Sequence, residues 1–147
     1  MQVKGIMRFE DLEIWKRSAR LSSDLYKHFR DSKDFGFRDQ ITRSGLSIPS
    51  NIAEGIERGG DREVIRFLSI AKGSCGELRT QVYIGCDIGY IDKEVAKKWI
   101  KETQEVSAMI SAFIKHRENN LANAVHENPE QYNTQSPAPC HLNPVPF

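Results

Sequence analysis

Long hydrophobic runs and disulfide-forming cysteines are both scarce in this chain. Its 147 residues contain no run of about 18 apolar residues, the length that a membrane-spanning helix needs. The three cysteines, Cys75, Cys86 and Cys140, are odd in number and widely spaced, which argues against a disulfide framework. The first residues also show no apolar stretch of a secretory leader. We therefore expect a cytoplasmic protein with no membrane partner.

Sequence motifs for catalysis and cofactor binding are lacking as well. The chain has no Glu-x-x-His pair of the kind that holds iron in helical bundles, and no glycine-rich loop for a nucleotide phosphate. Its four histidines are scattered, and the Cys140–His141 pair supplies too few ligands for zinc. We expect no enzymatic activity, no cofactor and no metal, and an enzyme using helix carboxylates is the least favoured alternative.

Charge and proline are distributed unevenly along the chain. Residues 1–117 hold all 21 Lys and Arg side chains against 17 of the 20 acids, which gives this part a net charge of +4. Five of the six prolines lie after residue 128, among Asn, Gln, Ser and Thr. The composition predicts one folded domain over residues 8–117 and a disordered, Pro-rich tail over residues 118–147.

Apolar residues recur three or four positions apart in four segments of the domain, which is the period of an amphipathic helix. The segments are Phe9–Phe29, Phe37–Ile56, Asp61–Gly89 and a last one that begins after Asp92. The connections between them are short, so neighbouring helices should run in opposite directions. The sequence predicts an all-α fold, an antiparallel up-down-up-down four-helix bundle.

Two of these helices carry more apolar residues than one buried face requires. On the first helix we expect the core to take Leu12, Trp15, Ala19, Tyr26 and Phe29. Second apolar stripes then remain on the first and third helices, and we expect them to mediate self-association. Ordinary exposed apolar residues are the alternative explanation. The stripe residues are Ile14, Leu21 and Leu25 on the first helix, and Ile70, Ile84 and Ile88 on the third.

The second helix contains a dense motif of small and polar residues between Ser47 and Gly55. Pro49 lies inside the helical period, and we expect a kinked single helix there. Asn51 and Glu54 are three residues apart, so both could hydrogen-bond across a helix interface. We interpret Ser47, Pro49, Asn51, Glu54 and Gly55 as a helix-packing or subunit-packing element. Contact with RNA or another ligand is the weaker alternative.

Basic side chains cluster on the first and third helices. A solvated surface whose aliphatic stems cover apolar residues would explain them without any ligand. In a symmetric oligomer each cluster would be repeated around the axis, and the combined field could attract a polyanion. The candidate nucleic-acid-binding residues are Lys16, Arg20, Lys27 and Arg30 on the first helix, and Arg62, Arg66, Lys72 and Arg79 on the third.

Three stretches of the chain resemble motifs of one bacterial family, the 23S rRNA intervening-sequence proteins. They are Phe9–Lys16, Ser47–Gly55 and Arg66–Ser74, the last followed by Glu77-Leu78. The resemblance spans about residues 8–115. The link over Arg30–Phe35 and the Pro-rich tail depart from the family pattern.

The resemblance implies a four-helix bundle that assembles into a ring, with five subunits expected, and it implies no enzymatic activity. A related branch serves diversity-generating retroelements as an accessory protein that binds reverse transcriptase and RNA through a basic surface. Our first hypothesis is therefore a non-enzymatic, ring-forming bundle that binds structured RNA or a nucleoprotein partner, with a reverse transcriptase as one candidate. The alternative is a protein-binding scaffold with no nucleic-acid role.

Overall fold

The computed structural model describes residues 5–127 and contains four α-helices. A short 3-10 helix precedes them. The elements are the 3-10 helix Phe9–Asp11, α1 Glu13–His28, α2 Phe35–Arg58, α3 Asp61–Asp87 and α4 Lys93–Glu127. The predicted all-α fold is confirmed.

The helices pack in sequence order, and α1 closes the bundle against α4. Side-chain contacts show that α1 and α4 run in opposite directions. Arg17, near the start of α1, hydrogen-bonds to Glu102 and Glu105, whereas His28, at its end, stacks edge-on against Trp99 near the start of α4. The other neighbouring pairs are antiparallel too, so the bundle has the predicted up-down-up-down arrangement.

Helix α2 passes through its internal proline without a break, as predicted. It begins where Asp34 Oδ1 accepts a hydrogen bond of 3.1 Å from the Phe37 N–H, a side-chain cap of the first turn. Pro49 is buried within the helix. Gly45, four residues earlier, lies directly beneath Leu25 of α1, and a Cβ there would overlap the Leu25 Cδ1. The small residue therefore lets the two helix backbones approach closely.

The apolar residues that recur three or four positions apart in the last three predicted segments form the buried faces of α2, α3 and α4. Residues at the expected helical positions are fully or nearly buried, and the outer members of the stripes are half-buried. The buried members are Ile41, Ile48, Ile52 and Ile56 on α2, Val64, Leu68, Ala71, Cys75, Leu78 and Val82 on α3, and Trp99, Val106 and Ile110 on α4.

The core face predicted for α1 is wrong in part: Phe29 is buried as expected, at 2% exposed, but other positions differ. Ile14, Leu21 and Leu25, expected to lie at a subunit interface, are 4%, 3% and 0% exposed within the single chain. Tyr26, expected in the core, is 47% exposed. The reason is that α1 packs between α2 and α4, so its core face is wide and is centred on the residues that the prediction assigned to a second stripe.

Helix α4 also extends past the predicted end of the domain. It continues to Glu127, ten residues beyond Arg117, and the side chains of residues 118–127 are mostly exposed. The part of the predicted tail from residue 118 to 127 is therefore helical. The remainder, residues 128–147, lies outside the described residues.

Candidate nucleic-acid interface

The eight predicted cations lie on two separate surfaces of the bundle. Seven of them are exposed and Arg79 is half-buried. Four belong to α1 and the turn after it, and four belong to α3. Because α1 and α3 make no contact within residues 5–127, they occupy diagonally opposite corners. One chain therefore presents two basic surfaces and does not combine them into one.

Most of the eight cations have no carboxylate partner. Lys16 lies 3.9 Å from Glu13, and Arg66 lies 3.8 Å from Glu63, both in exposed pairs within one helix. Exposed ion pairs of this kind contribute little to stability, and they leave the cation accessible to a ligand. The other six form no ion pair with any residue that the structure describes: Arg20, Lys27, Arg30, Arg62, Lys72 and Arg79.

The cations of α1 are concentrated. Lys16, Arg20 and Lys27 line one shallow depression of about 430 Å³ on the outer face of the helix, together with the carboxylate of Asp24. Lys27 also lines a neighbouring depression with Arg30, so the basic surface continues past the end of α1. We call Lys16, Arg20, Lys27 and Arg30 the α1 basic surface.

The cations of α3 are more dispersed. Arg62 and Arg79 are 17 residues apart, which corresponds to about 25 Å along a helix. The Arg66 guanidinium lies over the Phe67 ring at 5.2 Å from its centroid. Burial raises the pKa of the Cys75 thiol to about 11. The nearby positive charge of Arg79 lowers this pKa, but its effect is smaller than that of burial.

Sequence reasoning missed Arg17, which joins α1 to α4. Its Nε donates to Glu102 Oε1 at 2.7 Å and its Nη2 to Glu102 Oε2 at 2.8 Å, and it also bonds Glu105. These bonds hold the pKa of Glu102 below its usual range and raise that of Arg17. No sequence signal marks the pair, because the partners lie 85 residues apart. Arg17 is therefore a structural link and no part of the basic surface.

The small and polar motif of α2 packs against α3, as the structural interpretation predicted. The Ser47 and Ser74 hydroxyl groups are hydrogen-bonded across the two helices at 2.9 Å. Asn51, which we expected to bond across a helix interface, instead donates from Nδ2 within α2, to the Ser47 carbonyl at 2.7 Å and to its hydroxyl at 2.9 Å. A Cβ on Gly55 would lie 3.0 Å from the Phe67 Cβ, so this position has almost no free space.

Glu54 and Pro49 of the same motif take other roles. Glu54 is exposed and accepts a hydrogen bond of 3.0 Å from Arg58 on its own helix. Within residues 5–127 it forms no hydrogen bond or ion pair across the α2–α3 interface. Pro49 lines an apolar groove of about 470 Å³ between α1 and α2, with Trp15, Tyr26 and Leu46 among its walls.

Metal-binding and membrane-spanning features are not found in the described part of the chain. Within residues 5–127, no group of three or more His, Cys, Asp and Glu side chains comes together to hold a metal ion. None of the four helices combines the length and the apolar character needed to cross a bilayer.

One comparison matches this chain to a protein family, and a second finds a protein of similar fold. The family model described as 23S rRNA-intervening sequence protein matches residues 10–112. A crystal structure from Bacteroides thetaiotaomicron, a protein of unknown function in the S23 ribosomal protein family, superposes with a TM-score of 0.65. It is 24% identical, and the match covers 69% of this chain and 98% of that chain, which supports the fold alone. No curated protein is significantly similar.

Proposed function

Because this chain belongs to the 23S rRNA-intervening sequence protein family, we propose that it is a non-enzymatic, oligomeric protein that binds RNA or an RNA–protein partner. The observation that carries the proposal is the α1 basic surface. Its Arg20, Lys27 and Arg30 are exposed and have no ion-pair partner within the described residues. A reverse transcriptase bound to RNA is one partner of the required chemistry.

Phosphate binding by such a surface has a defined salt dependence. Each phosphate that a Lys or Arg neutralises releases condensed counterions, so affinity falls as salt rises. Side chains on the outside of a helix read charge and shape and make few contacts with base edges. We expect binding to structured RNA that weakens steeply with salt and depends little on base sequence.

A filter-binding titration of structured RNA at about 50 mM and about 150 mM salt tests the proposal. The double variant Arg20→Glu with Lys27→Glu should bind much more weakly than wild type. The matched control, Lys97→Glu with Lys101→Glu, changes the charge by the same amount on α4, where Lys97 is 3.6 Å from Glu94. It should lose less affinity. Equal losses in both variants would show a response to net charge alone and contradict a site on α1.

We also propose that the chain assembles into a ring of five subunits. Ile70 and Ile84 of α3, and Ile88 directly after its end, are 44%, 49% and 49% exposed, so these three members of the predicted stripes remain available to another copy. Gly73 and Gly76, on the same helix, have open space around their Cβ positions. A ring would bring several basic surfaces together and strengthen their field.

Light scattering of the purified chain tests the assembly. We expect a mass near five subunits, and a smaller mass for the variant Ile84→Glu with Ile88→Glu. The control is Val125→Glu, which places a charge at a 40% exposed apolar position on α4. A wild-type monomer at micromolar concentration would refute the ring.

The apolar groove between α1 and α2 supports the alternative function, a protein-binding scaffold. Its walls include Trp15, Tyr26, Leu46 and Pro49, and Leu46 is 45% exposed. Concave apolar surfaces of this kind commonly take a partner side chain or helix. The scaffold becomes the better explanation if wild type binds no RNA even at about 50 mM salt.

A further inference from the structure

A notch between the end of α1 and the first turns of α2 combines an exposed aromatic ring with several cations. Its volume is about 420 Å³. The α1 side contributes three of its six wall residues and the α2 side contributes the other three. The wall residues are Tyr26, Lys27, Arg30, Arg38, Asp39 and Thr42.

The charge of the notch is positive. Lys27 and Arg30 have no ion-pair partner among residues 5–127, and both are exposed. Arg38 lies over the Phe35 ring at 4.7 Å from its centroid, and its Nε is 3.7 Å from Asp39 Oδ1. Three cations therefore face one carboxylate, which is the balance expected where phosphate binds.

Tyr26 provides a feature that a phosphate site alone does not require. Its side chain is 47% exposed although the residue lies beside the core positions of α1. The ring forms part of the notch and also part of the adjoining apolar groove that contains Trp15 and Leu46. An exposed aromatic ring thus lies next to Lys27 and Arg30, at the junction between an apolar and a basic surface.

We propose that this notch binds an unpaired nucleotide of RNA, whose base stacks on Tyr26 while its phosphates contact Lys27 and Arg30. The inference rests on the proposed function, since it specifies which part of an RNA the α1 basic surface contacts. Bases inside a duplex are covered on both faces by their neighbours, so away from the duplex ends only an unpaired base can stack on a protein ring. Stacking of this kind tolerates any base and adds to the charge contacts.

Fluorescence anisotropy with two labelled RNAs of equal phosphate number, an unstructured single strand and a blunt duplex, tests the notch. Stacking is worth about 1–3 kcal/mol per base, so Tyr26→Ala should weaken single-strand binding by about 5-fold to about 140-fold. Its affinity for the duplex should not change. Tyr26→Phe keeps the ring and should bind like wild type. The matched control is Tyr83→Ala, which removes a 55% exposed tyrosine from α3 and should have no effect.

The outcomes separate the notch from the broader function. If wild type binds both RNAs but Tyr26→Ala weakens neither, or weakens both equally, the notch is refuted and RNA binding by the α1 basic surface stands. If wild type binds no RNA at low salt, the nucleotide site in the notch and RNA binding by the α1 basic surface are both refuted. If poly-glutamate displaces the single strand as effectively as unlabelled RNA does, the surface recognises negative charge alone and the stacking role of Tyr26 is wrong.

Discussion

Two glycines in the middle of helices should respond in opposite ways to the same substitution. Gly45 of α2 lies beneath the fully buried Leu25, and a Cβ there would overlap the Leu25 Cδ1. Gly73 of α3 has nothing within 4 Å of its Cβ position. Replacing either residue by Ala gains the same intrinsic helix propensity, about 1 kcal/mol. The two variants therefore differ only in the space around the added methyl group.

The expected magnitudes follow from that comparison. Gly73→Ala should raise the free energy of unfolding by about 0.5–1 kcal/mol, or roughly 2–4 °C in Tm for a chain of this size. Gly45→Ala gains the same helix-propensity contribution, but its methyl group forces Leu25 to move within a packed core. Such overpacking costs about 1–3 kcal/mol, so the net effect should be a loss of up to about 2 kcal/mol.

Urea unfolding followed by circular dichroism measures both variants, with light scattering as a check on subunit number. The free energies should differ by about 1–3 kcal/mol, with Gly73→Ala the more stable. A lower stability of Gly73→Ala at unchanged mass would refute the reasoning. A lower stability together with a smaller mass would show instead that Gly73 packs against another subunit.

Three further predictions concern the Arg17 cluster, the cysteines and the end of α4. Glu102→Gln should lower the free energy of unfolding by about 1 kcal/mol at pH 7. Because the pKa of Glu102 is depressed in the folded state, wild type loses this stabilisation as the carboxylate is protonated, and thermal melts of the two proteins should become more alike below about pH 4. Cys75 is fully buried and its thiol pKa is raised to about 11, so mass spectrometry should find it alkylated more slowly than the half-buried Cys86. A variant that ends at Arg117 keeps the 2.8 Å hydrogen bond from Arg117 Nη1 to Asp61 Oδ1. In urea titrations its free energy of unfolding should fall by less than about 1 kcal/mol.

Periodicity predicted the helices and most of the core because α2, α3 and α4 each keep their apolar residues in a well-defined stripe. Ile41, Ile48 and Ile52 of α2 are at most 1% exposed, as their spacing predicts. The small and polar residues of the Ser47–Gly55 motif predicted its packing role, and the structure shows its contacts with Ser74 and Phe67. The spacing of apolar residues was sufficient to predict the buried face wherever all the apolar residues of a helix lie in the same surroundings.

Local pattern failed on α1 because two different apolar environments lie next to each other around that helix. One is the core, which takes Leu21 and Leu25, and the other is the groove toward α2, which takes Trp15 and Tyr26. A helical wheel shows both sets as one broad arc and cannot tell which half is covered. That distinction depends on how α2 and α4 approach α1, which is a property of tertiary packing.

The same limit applies to the charges of α1, and it bears directly on function. Arg17 and Arg20 are both arginines of one helix, yet Arg17 is bound by Glu102 and Glu105 of α4 while Arg20 has no ion-pair partner in residues 5–127. A count of basic residues treats the two as equal. Only the free guanidinium can exchange its water for a phosphate without first breaking strong hydrogen bonds. The residues to test for RNA binding are therefore those whose neighbours leave the charge unpaired, which makes Arg20, Lys27 and Arg30 the decisive positions.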